Sequence, residues 1–306
     1  MQAINNITRF KFKHLFLTTV VMVAWLGNSA FAQPGRQPPP APVPDEVIMP
    51  RPTAIEVEQA RTSLATFMSG LDTANKRIFE AYPYLLEVRP LGINTALVPN
   101  LAPNFAAKHA ANLEVAKAGD IDVLFMGDSI TDWWRNETGN MAGKPVFDKY
   151  FGTMKVANFG IAGDTTQGVL FRLQNGEGQG FTPKAVMLMI GTNNTRSHRP
   201  AEIAEGVGAV ILELQKDFPA AKILLLGIFP RSTPDDPLRT QIAEINSIIA
   251  RLGDNQRVFF KDIGAIFLDA DGKIAPEIMS DGLHPTTQGY ELWAEAIEQP
   301  LADLLK

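Results

Sequence analysis

Ile121-Asp122-Val123-Leu124-Phe125-Met126-Gly127-Asp128-Ser129-Ile130-Thr131 is the stretch that decides the fold. A short, nearly continuous apolar run ending at a glycine reads as a strand buried on both faces, the pattern of a parallel sheet. Further predicted strands follow at 155–159, 185–190, 222–228 and 257–263, after the first at 121–126. Amphipathic stretches over 201–218 and 238–252 lie between them, and a closing helix over 287–305 carries Tyr290, Trp293, Ile297 and Leu301 on one side. Pro300 is expected to kink that helix or restart it. This alternation predicts a three-layer α/β/α sandwich around a five-stranded, mostly parallel sheet. Such sheets bind ligands beyond the carboxyl ends of their strands.

Toward the amino end the composition changes. Arg9, Lys11 and Lys13 precede an apolar run over 15–26, and Ala30-Phe31-Ala32 follows it, so 1–32 reads as a secretory signal peptide cut after Ala32. The apolar run is shorter than the roughly 20 residues a bilayer requires, so no stable membrane insertion is expected after cleavage. Periplasmic or secreted localisation follows as an expectation. Prolines at 34, 38, 39, 40, 42, 44, 50 and 52 predict an extended linker over 33–54. Thr53 and Glu56 then match a capping box, and Leu64, Phe67, Leu71 and Ile78 recur at helical spacing. A helix over 55–79 is therefore predicted within an N-terminal helical extension, 55–104, packed on a main domain over 105–306.

Charge and cysteine content exclude several functions. Losing 1–32 removes three positive charges and no negative ones, taking the formal net charge from −5 down by three to −8. An acidic chain is a poor nucleic-acid ligand, and no such partner is expected. The absence of cysteine rules out disulfides, a thiol nucleophile and a thiolate-bound metal.

Gly127-Asp128-Ser129 puts a hydroxyl on the strand-to-helix turn at the ligand-binding edge. A hydroxyl attacks only as a base removes its proton, and histidine is the natural base. The four histidines are at 14, 109, 198 and 284. His14 leaves with the leader, His109 precedes the first strand, and His198 follows the third strand as a weak rival. His284 lies in Ser280-Asp281-Gly282-Leu283-His284-Pro285 after the fifth strand. Asp281, three residues earlier, is placed to fix its ring. Gly160-Ile161-Ala162-Gly163-Asp164-Thr165-Thr166-Gln167 offers an amide at Gly163, with Asp164 and Gln167 at helix-capping positions. Gly191-Thr192-Asn193-Asn194 offers an amide side chain at Asn193.

Four blocks in this order, Gly127-Asp128-Ser129, Gly163, Gly191-Thr192-Asn193 and Asp281-x-x-His284, resemble those of the SGNH (GDSL) hydrolases. Asn158-Phe159-Gly160-Ile161-Ala162-Gly163-Asp164-Thr165-Thr166-Gln167 and Arg172-Leu173-Gln174-Asn175-Gly176-Glu177 are similar to the platelet-activating-factor acetylhydrolase catalytic-subunit-like branch. The likeness covers about 105–305. It implies a flavodoxin-like SGNH hydrolase fold and a Ser129, His284, Asp281 triad. It also implies an oxyanion hole of the Ser129 and Gly163 amides and the Asn193 side chain. Ile130 stands where leucine is usual, and Asn194 where many members carry aspartate.

The expected activity is removal of a short acyl group, an acetyl group by resemblance, from a small ester or acylated carbohydrate through an acyl-enzyme, with no metal and no organic cofactor. O-acyl transfer by the same triad and a carbohydrate-binding role are the alternatives. The sequence leaves oligomeric state open. Asp269-Ala270-Asp271-Gly272 looks like the start of a calcium loop but lacks its frame, so a tight turn is expected. Asn194 is assigned to the turn, and Trp133 and Trp134 are assigned equally to a substrate pocket or to packing.

Overall fold

The computed structural model describes residues 38–81, 88 and 92–306; the leader expected at 1–32 and the first part of the proline-rich stretch lie outside them. Five strands, β1 (Val123–Gly127), β2 (Val156–Asn158), β3 (Ala185–Met189), β4 (Lys222–Leu226) and β5 (Val258–Lys261), form one sheet in the order β2-β1-β3-β4-β5. Every pairing is parallel, with Val123 opposite both Val156 and Ala185, and Ile223 opposite Val258. The sheet is thus wholly rather than mostly parallel. Strand order reverses between β1 and β3, which makes their carboxyl ends the topological switch point.

Alternation along the strands feeds two cores. Leu124, Met126, Val186, Leu188, Ile223 and Leu225 face one side. There they meet α3 (Ala106–Ala118), α6 (Thr166–Arg172), α7 (Pro200–Asp217) and α8 (Pro237–Ile249). Val123, Phe125, Met187, Leu224 and Leu226 face the other, against α5 (Lys144–Phe151) and α9 (Thr287–Leu304). Because both faces are covered, the central strands β1 and β3 are buried throughout, and Asn158 enters only the edge strand β2. α9 is one helix through Pro300 and is not restarted there. Burial of Ile297 before it and of Leu301 and Leu304 after it outweighs the one lost backbone bond.

The proline-rich stretch, where described, is irregular with a turn over 45–47, and it is packed. Ala41 N donates to Leu97 O at 2.8 Å, and Val47 is buried in the core. Glu205 of α7, itself buried, accepts from Met49 N (2.9 Å), Arg51 (2.7 Å) and Asn94 Nδ2 (2.8 Å). A Cβ on Gly208 would stand 2.7 Å from Val47 and 2.8 Å from Pro44, so only glycine lets the strap lie this close to α7.

The single helix predicted over 55–79 is two helices, α1 (Ala54–Gly70) and α2 (Thr73–Ala81). Leu71 is extended, and the Asp72 carboxylate caps the second helix by accepting from Asn75 N at 2.8 Å. The capping box at Thr53 and Glu56 is present. Among the described residues Val57 alone in α1 is buried, while Phe67 and Ile78 stay exposed, so the apolar stripe does not face the core. No described helix is long and apolar enough to cross a membrane.

Candidate active site

Ser129 opens α4 (Ser129–Asp132), the short helix that begins two residues past the end of β1. Asp128 caps this turn, its carboxylate accepting from Ile130 N at 3.0 Å. Tyr290 of α9 donates to Ile130 O at 2.8 Å, which ties the turn to the core under α5 and α9. Asp128 is fully buried, and that burial pushes its carboxyl up to about 7.

Ser129 Oγ lies 2.9 Å from His284 Nε2, and His284 Nδ1 lies 2.6 Å from Asp281 Oδ2. The residues span the first strand end and the loop before α9. Asp281 Oδ1 accepts from His284 N (2.8 Å) and Leu283 N (3.0 Å), so one carboxylate both turns the loop and holds the ring. Burial alone would raise the Asp281 carboxyl; the ring and the two amides outweigh it and hold the group below its usual range. Trp133 stacks on the imidazole with centroids 4.0 Å apart and planes at 29°. With Oγ–H donating to Nε2 and Nδ1–H donating to the carboxylate, the chain can carry a proton from the hydroxyl to the ring.

Gly163 lies in the loop after β2, which Ile161 N ties to Gly127 O at 3.1 Å, and Asn193 lies in the turn after β3. Gly163 has φ +88°, a backbone state that disfavours any side chain. Its amide and that of Ser129 meet no acceptor among the described residues. Ala162 N is fixed by Asp132 Oδ2 at 2.9 Å. Asn193 Nδ2 donates to Asp164 O at 2.8 Å, leaving a second N–H on the same nitrogen. The expected capping by Asp164 is not what the structure shows. Thr165 is the cap residue of α6 without a side-chain bond, and Asp164 instead pairs with Arg172 at 2.8 Å. Asn194 does the capping from the neighbouring loop: its Oδ1 accepts from Thr166 N at 3.1 Å while Nδ2 donates to Gln167 Oε1 at 2.9 Å.

Behind Asp164 is a charge cluster that the sequence reading did not assemble. Arg172 is fully buried and donates to Asp164, Glu177 and Phe159 O. Glu177 in turn binds His109 Nδ1 at 2.8 Å, which gives that histidine a partner away from Ser129. His198 binds Thr95 Oγ1 at 2.8 Å. The paired tryptophans divide, Trp133 on the imidazole and Trp134 fully buried in the core. Asp269 accepts from Asp271 N (2.9 Å) and Lys273 N (2.8 Å), so its carboxylate is spent on a tight turn.

A parallel α/β sheet with a serine, histidine and carboxylate in line at the switch point defines an ester-hydrolase type of protein. A GDSL-like lipase/acylhydrolase family model matches residues 125–292. The chain belongs to that family, and it is a carboxylic ester hydrolase. It is similar to the α2 subunit of platelet-activating factor acetylhydrolase IB from Rattus norvegicus, 32% identical over 220 residues, covering 70% of this chain and 93% of that protein. The α1 subunit from Rattus norvegicus is 34% identical over 191 residues, 62% of this chain and 79% of its own. Among solved structures, an acylhydrolase-type chain from Bacteroides fragilis superposes with a TM-score of 0.53 at 22% identity, covering 66% of this chain and 98% of its own. That likeness bears on the fold alone.

Proposed function

We propose that Ser129 is the nucleophile, His284 the general base and Asp281 its orienter in an acyl-enzyme mechanism that removes a short acyl group, an acetyl group first of all. The observation that carries this reading is the continuous line from Ser129 Oγ through His284 to Asp281, at 2.9 and 2.6 Å. As Oγ bonds to the acyl carbon, its proton passes to Nε2 and the carbonyl oxygen becomes an oxyanion. The amides of Ser129 and Gly163 and the Asn193 NH₂ group receive that charge, each donor contributing on the order of 3 kcal/mol in comparable sites. The imidazolium then protonates the departing alcohol as the carbon–oxygen bond breaks. Water repeats the sequence on the acyl-enzyme, releasing acid and restoring Ser129. The acetyl preference is supported by the name of the acetylhydrolase relatives, and by Trp133 and Phe105 flanking the site. The Phe105 ring stands 3.5 Å from where a Cβ on Gly163 would be. An acylated carbohydrate or small lipid ester fits this reading, and the leader-like segment adds export to it. The mature amino terminus, sequenced from cell-free medium and periplasm, tests that last part.

Hydrolysis of p-nitrophenyl esters from acetate to decanoate tests the chemistry. The wild type should favour the shortest chains, a fluorophosphonate probe should label Ser129, and Ser129→Ala should lose on the order of 10⁶-fold in kcat. Full activity in Ser129→Ala, or labelling elsewhere, overturns the assignment.

A further inference from the structure

Arg231 lies in the loop after β4, on the same edge of the sheet as Ser129. Its Nη1 donates to the Thr192 hydroxyl at 3.3 Å, one residue before Asn193. Its Nε is buried and has no hydrogen-bond partner among the described residues. Asp236, Asp128 and Asp281 act on its charge only through space. Each is committed elsewhere. Asp236 caps α8 through Leu238 N at 2.9 Å, Asp281 holds His284, and Asp128 caps α4 with its carboxyl held up at about 7 by burial. Arg196, from the turn after β3, adds a second positive charge that acts on Arg231. The contrast with Arg172 and Arg135 is direct, since both of those have carboxylate partners.

A half-buried guanidinium with no carboxylate bonded to it among the described residues is costly to hold. The backbone around it is nevertheless fixed. Ser232 has φ +61°, in the left-handed region that a non-glycine residue seldom occupies. Arg239 holds that turn by donating from Nε to Arg231 O (2.6 Å) and from Nη2 to Ser232 O (2.9 Å). Ser232 N donates to Gly282 O at 2.9 Å, inside the Asp281–His284 loop. The guanidinium is therefore bonded to the Asn193 loop from a backbone that is itself tied to the loop of the proposed base.

We propose that Arg231, assisted by Arg196, is a specificity residue that receives an anionic oxyacid group, carboxylate or phosphate, carried by the substrate next to the scissile ester. A guanidinium suits both, because its planar donors match their paired oxygens. The inference rests on Ser129 being the nucleophile, and it deepens that reading by assigning the substrate a charge.

Three matched acetates make the test: 3-acetoxybenzamide, 3-acetoxybenzoate and 3-acetoxyphenyl phosphate, with kcat/KM measured for each. The wild type should prefer at least one anionic ester over the neutral one by about tenfold or more, the discrimination expected of one charge-assisted contact. Which anion wins tells a carboxylated saccharide type of substrate from a phosphate-bearing one. The preference should shrink as salt rises, collapse toward unity in Arg231→Gln, and fall partly in Arg196→Gln. Benzoate or phenyl phosphate should also inhibit hydrolysis of the neutral ester competitively in the wild type, where benzamide does not, an arm that needs no variant. Equal rates on all three esters together with no anion inhibition overturn the inference and leave the Ser129 reading intact. An unchanged preference in Arg231→Gln overturns it as well. Failure of the wild type on all three, with Ser129 unlabelled by the fluorophosphonate, removes both readings.

Discussion

Ser129 is almost wholly buried at the end of β1, and the loops beside it rest on groups with no exposure at all, whereas the Asp281 side chain is 43% exposed on a surface loop. Gly163 and Asn193 stand over Asp164, which is held by Arg172, which is held by Glu177. His284 and Asp281 are held by two backbone amides, one another and the Trp133 ring. The proposed donor side of the site is thus part of the folded interior, and its polar groups are tied into the same framework that joins α6 to β2. The proposed acid–base side is local, built within four consecutive residues. Damage to the first side should cost stability and activity together, and damage to the second should cost activity alone.

The largest expected effect probes the exposed side. Asp281→Asn should lower kcat by about 10⁴-fold, because the amide no longer fixes the reactive tautomer, while the thermal midpoint moves by only a few degrees. A collapse of that midpoint would show that the loop carries structural weight and break the contrast. Next comes the buried side. Arg172→Met leaves Asp164 and Glu177 buried without their cation and should cost about 3–5 kcal/mol in urea unfolding. Unchanged stability there would mean that the cluster is not a support. A smaller loss, about 1–2 kcal/mol, is expected of Asn194→Ala, which orphans Thr166 N at the start of α6. Its kcat should fall in step, since that helix follows directly on the Gly163 loop.

The same contrast accounts for what the sequence disclosed. The strands were legible because the central ones are apolar on both faces and the edge ones nearly so, and the ends differ from expectation only where the chain leaves the ladder. His284 and Asp281 were legible because their bonding is local, three residues apart. Arg172 was visible as a residue but not as a buried one, since its burial depends on β2 and on a turn closing behind it. Arg231 meets Thr192 across 39 positions, and nothing in either neighbourhood announces the other. Trp133 and Trp134 are adjacent, so the roughly 120° step of their 3₁₀ turn sends them to different surroundings, and only tertiary packing tells which one reaches the histidine. The stripe over α1 and α2 was a sound helical signal, yet periodicity does not say what an apolar face rests on.

The smallest expected effect sets the two carboxylates of the site against each other. Burial holds Asp128 up at about 7, while hydrogen bonds hold Asp281 down. A native pKa above the unfolded value means that the native state keeps a proton the unfolded chain gives up. The stability tied to Asp128 is therefore fully present below about pH 4 and is lost as pH rises through about 7. For Asp281 the sign is opposite: its contribution is present above the unfolded carboxylate range and is lost in acid. Asp128→Asn keeps an acceptor for Ile130 N but cannot ionise. Compared with the wild type it should gain a few degrees of thermal midpoint at pH 8 relative to pH 4.5, read by calorimetry at both values. A difference between the two proteins that does not change with pH would mean that Asp128 enters the native state already ionised, and the donor side would then hold a buried negative charge beside Ser129 with the through-space pull of Arg231 as its support.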